Sequence, residues 1–90
     1  MNATHRELLR QAMLQALVPV PVGLGLSAPG LRIQVIAVGH TVPEADVAAE
    51  LQYLADKGLV APLAKTLSPE NRLWRITAEG RDLLASLGLA

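Results

Sequence analysis

The spacing of apolar residues changes period once, at Gly58, and that switch limits what this chain can fold into more than any other feature. Before it, Val47, Leu51 and Leu54 recur at i, i+4 and i+7, so they share one side of a helix. Thr41 with Glu44 has the spacing of a capping box, and Pro43 sits where a first helical turn has no partners for its N–H groups. Together they predict a helix over 42–57. Lys57 in its last turn, Gly58 at the left-handed position beyond, and Leu59 able to fold back onto Leu54 predict a sharp end. After Gly58 the segment 59–67 alternates loosely, Ser68-Pro69-Glu70-Asn71 has the composition of a type I turn, and 72–77 returns as a strand. On that return Trp74 and Ile76 share one face and Leu73, Arg75 and Thr77 the other, as a half-buried hairpin over 59–77 requires. Thr77 then caps a last helix over 78–87.

The first forty residues read as support for this unit. Thr4 with Glu7 is a second capping-box spacing, and Leu8, Leu9, Ala12, Met13, Ala16 and Leu17 form a wide apolar stripe along the helix it opens. Val18-Pro19-Val20-Pro21-Val22 predicts an extended segment confined to a sheet edge, because residues before proline avoid the helical region. Ser27 with Pro29 suits the cap and first turn of a helix reaching about Val38 and closed by Gly39. Residues 31–38, LRIQVIAV, are rich in β-branched side chains and alternate for several positions, so propensity alone favours a strand there. Both readings of 31–38 stay open on the residues themselves.

A chain of 90 residues holds one domain, 1–90, near the size at which a single core is hard to sustain unaided. Hydrophobic residues make up 51% of it, yet there is one Trp, one Tyr and no Phe, so the core must come from Leu, Val, Ile and Ala. The residues expected there are Leu9, Met13, Leu17, Val35, Val47, Leu51, Leu54, Leu59, Trp74, Ile76, Leu83 and Leu84. The mean hydropathy of +0.34 leaves apolar surface to spare, which favours a homodimer. No cysteine means no disulfide and no thiolate metal site, and a cytoplasmic setting is the default expectation. The uncharged run 11–31 is interrupted by Pro19, Pro21, Pro29, Gly23, Gly25 and Gly30, so no membrane span is expected. Arg6, Glu7 and Arg10 break any signal-peptide pattern.

The residues LQYLADKGLV followed by WRITAEGRDLL resemble the recognition helix, wing and closing helix of winged helix-turn-helix domains. The wording is also similar to small winged-helix proteins of Mu-like prophages. The resemblance covers about half the chain closely and the rest in its order of elements. It implies a mainly α fold with a small β-hairpin (α+β), in the order α-β-α-α-β-β-α, and favours a helix over 31–38. It further implies a DNA-binding protein of transcription regulation, with helix 42–57 in the major groove and the 59–77 hairpin on phosphates. On this reading Thr41, Glu44, Ala45, Ala48, Ala49 and Gln52 face double-stranded DNA, and Arg32, Lys65, Arg72 and Arg75 hold its backbone. The alternative is a winged-helix module for protein–protein interaction in a phage or regulatory complex, using helix 1, the 18–22 edge or the acidic helix face.

Charge divides these readings. Net charge is zero, but 41–58 carries −3 (Glu44, Asp46, Glu50 and Asp56 against Lys57), while 59–77 carries +2 (Lys65, Arg72 and Arg75 against Glu70). An acidic recognition helix opposes phosphate, whose attraction normally dominates affinity. Gly23-Leu24-Gly25-Leu26-Ser27-Ala28 matches a dinucleotide-binding fingerprint, but one small domain with a hairpin cannot supply the parallel sheet that the fingerprint needs. His5 and His40 are too few for a zinc set, and His40 suits a turn or a phosphate contact. Trp74 suits the core beneath the hairpin better than a base-stacking platform. No nucleophile–base pair or paired carboxylate stands out, so neither an enzyme nor a cofactor is expected.

Overall fold

The computed structural model describes residues 2–21, 23–63 and 72–89. It is mainly helical, with α1 Ala3–Leu17, α2 Ala28–Ala37, α3 Glu44–Asp56 and α4 Ala78–Ser86, and a two-stranded antiparallel sheet of β1 Val60–Pro62 and β2 Trp74–Ile76. The expected α+β class holds, and of the 31–38 stretch 31–37 is helical, with Val38 as the C-cap. The β-branched side chains of 31–38 lose to tertiary burial: Leu31 and Val35, one turn apart, are fully buried while Ile33 between them is 65% exposed, a pattern that a helix gives and an alternating strand does not.

Helix 1 is the hub. Its Leu9, Met13, Leu14 and Leu17 are buried, and it packs against α2, α4 and β2. Leu8, expected on the inward stripe, lies on its flank at 46% exposure. The helix starts earlier than Thr4 and Glu7 suggest. Asn2, two residues upstream of Thr4, is the N-cap, and its Oδ1 accepts from the His5 N–H at 2.8 Å.

Two further expectations, on a strand and on a cap position, are corrected. The described part of the 18–22 segment, 18–21, is not a sheet edge. Val18 continues the α1 terminus, the Val20 N–H donates to Leu17 O at 3.2 Å, and the described residues through Pro21 form turns. The pairing comes later, at Leu26, whose N–H and carbonyl exchange hydrogen bonds of 2.9 and 2.8 Å with Trp74. Gly25 permits this approach: its φ is +64°, and a Cβ there would sit 2.7 Å from the Trp74 carbonyl oxygen. β2 therefore lies between Leu26 and β1, in the register Val60↔Ile76, Ala61↔Arg75, Pro62↔Trp74. Pro62 lacks a donor and sits on the outer strand, where that costs least. The second correction is at α3, whose N-cap is Pro43 and not Thr41; no side chain caps it, and the helix begins at Glu44.

The end of α3 is as expected. Gly58 has φ +76°, its N–H donates to Ala55 O at 3.0 Å, and the Leu59 N–H reaches back to Leu54 O at 2.9 Å. Thr77 locks this corner to the next helix. Its N–H donates to Leu59 O at 3.1 Å, its hydroxyl donates to Gly58 O at 2.7 Å, and the same oxygen accepts from the Gly80 N–H at 3.1 Å. Trp74 and Ile76 are buried while Arg75 is half-buried on the opposite face, as the alternation predicts. The expected core is buried except for Leu59 and Leu83, which are partly covered; Ala12, Leu14, Leu31 and Val60 join it. The 68–71 turn and the strand beyond Leu63 lie outside the described residues.

Candidate nucleic-acid interface

With Val47, Leu51 and Leu54 at 1% exposure or less, the rotation of α3 is set, and the 3.6-residue period turns Glu44, Ala45, Ala48, Ala49 and Gln52 to solvent. All five are exposed, so nothing within the described chain covers the face assigned to DNA. Ala45, Ala48 and Ala49 carry no atoms beyond Cβ, which makes this flank low and lets a groove floor approach the helix closely. Gln52, the one amide on it, donates through Nε2 to Asp56 Oδ1 at 2.9 Å. Reading a base with Gln52 therefore requires that this bond be exchanged.

Glu50 departs from its place among the acids that oppose DNA. It is buried, and its carboxylate is held by two arginines from one face of α1: Arg10 through Nε, and Arg6 at 3.4 Å. Arg6 and Arg10 lie one turn apart, so a single carboxylate can face both. Arg10 also reaches Glu7 at 3.8 Å and stacks over the Tyr53 ring at 3.7 Å from its centroid. The α3 face thus presents Glu44, Asp46 and Asp56 as its acids, while Glu50 serves as the bolt between α1 and α3. Sequence spacing gave no sign of this pair, because its members lie forty positions apart.

The candidate cations are dispersed. Arg32 is half-buried, and its Nε donates to Val42 O at 2.7 Å, fixing it against the α2–α3 turn and not on an open phosphate-facing surface. Arg72 lies over the Trp74 ring at 5.6 Å, and Arg75 Nη1 donates to Ile76 O at 3.5 Å. Both belong to the β2 side of the sheet. α3 touches β1, and β1 pairs with β2, so these arginines stand one strand away from the helix. Among the described residues no hydrogen bond or ion pair links either of them to α3. Lys65 lies outside the described residues. Lys57 sits 5.7 Å from the Tyr53 ring.

Thr41 is exposed and lines a cleft of about 380 Å³ at the start of α3, together with His5, His40, Pro43 and Asp46. The two histidines of the chain therefore meet at one place, which the sequence did not foretell for His5. Among the described residues no group of three His, Asp or Glu side chains is arranged to hold a metal ion. No helix among them is long and apolar enough to cross a membrane. Comparison of the chain with protein-family models, with curated proteins and with solved structures gives no match.

Proposed function

We infer that this chain is a winged helix-turn-helix domain that binds double-stranded DNA as a transcriptional regulator. The observation that carries the reading is the free, small-residue flank of α3, Ala45, Ala48, Ala49 and Gln52, on a helix whose opposite side is locked into the core. The order of elements supports it, since a helix, an isolated bridge at Leu26, two helices, an antiparallel strand pair and a last helix follow one another, and on this reading the bridge serves as the short first strand and β1–β2 as the wing stem. Inward pairing of Glu50 supports it too, by removing one carboxylate from the face offered to phosphate. In this arrangement α3 enters the major groove through 44–52. Gln52 reads adenine, the alanines touch thymine methyl groups, Glu44 accepts from cytosine, and Arg72 and Arg75 with Lys65 attach to the backbone.

A salt titration of binding to random duplex DNA tests the reading. Affinity at low salt that falls steeply with added salt is the expected result. Arg72→Ala with Arg75→Ala weakens binding to all sequences alike and lowers the salt slope by about 2, whereas Gln52→Ala changes the preferred sequence. No affinity at low salt refutes the proposal and leaves the protein-interaction reading. The acidic first turn of α3, Glu44 and Asp46, favours that alternative.

A further inference from the structure

A groove of about 280 Å³ runs between α1, the C-terminal half of α3 and α4. Each helix turns one face to it: Arg10 and Leu14 of α1 lie four residues apart, Leu54 and the C-cap Lys57 of α3 three, and Leu83 and the C-cap Leu87 of α4 four. Leu14 and Leu54 are buried, and Leu87 stands 46% exposed at the edge. Two cations border this apolar lining. Arg10 gives its Nε to Glu50, but its Nη1 and Nη2 donate no hydrogen bond among the described residues, and Nη1 comes only within 3.8 Å of Glu7. The Arg10 side chain is 18% exposed, so these donors are largely withdrawn from bulk water without a protein acceptor, yet neither is sealed in. Lys57 forms no ion pair among the described residues, and its Nζ lies 5.7 Å from the Tyr53 ring over which Arg10 stacks. Both charges therefore flank one ring.

We propose that this groove binds a small apolar monocarboxylate, its oxygens accepting from Arg10 Nη1 and Nη2 and from Lys57 Nζ, and its hydrocarbon body lying on Leu14, Leu54 and Leu83. The end of a guanidinium is a planar fork that matches the two oxygens of a carboxylate. Charge selects the same class. The lining holds two cations against one acid, Glu7, whose side chain is 62% exposed and can turn to water. One net positive charge suits a monoanion better than a phosphate dianion, and the leucines require an apolar body. Size sets the scale, because the groove lies just below the range of about 300–1,000 Å³ typical of drug-sized ligands. It is lined from the side of α3 that faces α1 and α4, so the inference goes beyond DNA binding and does not depend on it.

Octanoate, with uncharged octanamide as its match in length, tests the proposal by amide NMR titration of the full chain at millimolar ligand. Octanoate is expected to shift the signals of Leu14, Tyr53, Leu54, Lys57 and Leu83, and octanamide to bind at least about tenfold more weakly. Arg10→Gln also breaks the contact with Glu50, so the exposed Lys57 is the cleaner probe. Lys57→Met should weaken octanoate by at least about tenfold and leave octanamide unchanged, and Lys57→Arg should keep octanoate binding. Leu87→Gln should weaken both ligands, and Ile33→Gln, on the exposed side of α2, neither. No binding of octanoate overturns the proposal. Equal binding of octanoate and octanamide, or indifference to Lys57→Met, overturns the carboxylate assignment. Shifts centred outside the groove, or binding lost in Ile33→Gln, overturn the site.

Discussion

Replacing Glu50 by leucine removes the carboxylate that Arg6 and Arg10 share while keeping much of its volume. Truncating one partner of a buried ion pair costs about 3–5 kcal/mol, because the charge left behind has no counterpart. The cost here is lower. The Arg6 side chain is 47% exposed and regains water, and Arg10 keeps Glu7 at 3.8 Å and the Tyr53 ring at 3.7 Å. About 1–3 kcal/mol is therefore expected, which for a domain of this size lowers Tm by roughly 5–20 °C. Arg10→Met alone should cost a similar amount, and the double variant less than the sum of the singles by about 1 kcal/mol or more. Urea unfolding of the four proteins, followed by circular dichroism, measures this cycle. Single-variant losses that add to within about 0.5 kcal/mol would mean that the two side chains do not act as a pair, and the account of how α3 is fastened to α1 would fall.

Other expectations follow from the packing. Leu54→Ala should cost about 2–5 kcal/mol as a fully buried leucine, and a loss below about 1 kcal/mol would mean that α3 is rotated from the orientation described. Gly80→Ala should destabilise by about 1–3 kcal/mol even though the position is helical, since its methyl group runs into the Leu59 carbonyl oxygen and lies 2.6 Å from Ile76 Cγ1; unchanged thermal stability would contradict that contact. Ser27→Ala removes the oxygen that accepts from the Gly30 N–H at 3.1 Å and should cost about 1 kcal/mol, read as a shift in the urea midpoint without a change in slope.

The parts of this molecule written in short spacing were legible in its sequence. Val47, Leu51 and Leu54 face inward as their period requires, Gly58 stops α3, Thr77 caps α4, and Trp74 and Ile76 share the buried side of β2. Cap positions were less secure, because Asn2, Thr4 and Thr41 are all chemically able to cap, and only the extent of burial downstream chooses among them. The strand between α1 and α2 was misplaced for a similar reason: proline favours extension but does not supply a partner, and the partner's register selects Leu26. Helix 2 was ambiguous because its β-branched residues favour a strand, while the burial of Leu31 and Val35 against α1 and α3 decides for a helix. On the candidate interface, the exposed alanines and Gln52 follow from the helical period. The inward turn of Glu50 and the engagement of Arg32 depend on contacts between segments distant in the chain, which no local pattern encodes.

The Leu26–Trp74 bridge joins the two halves of the chain through a single residue on either side. Each of these amide hydrogens is shielded only while both halves hold their mutual position, so their exchange with deuterium reads out cooperative opening of the domain and not the fraying of one helix. The two amides act as a built-in latch, and a chain cut between α2 and α3 would stay whole only if the core shared by both halves, with that latch and the α1–α3 bolt, outweighs the added freedom of the ends.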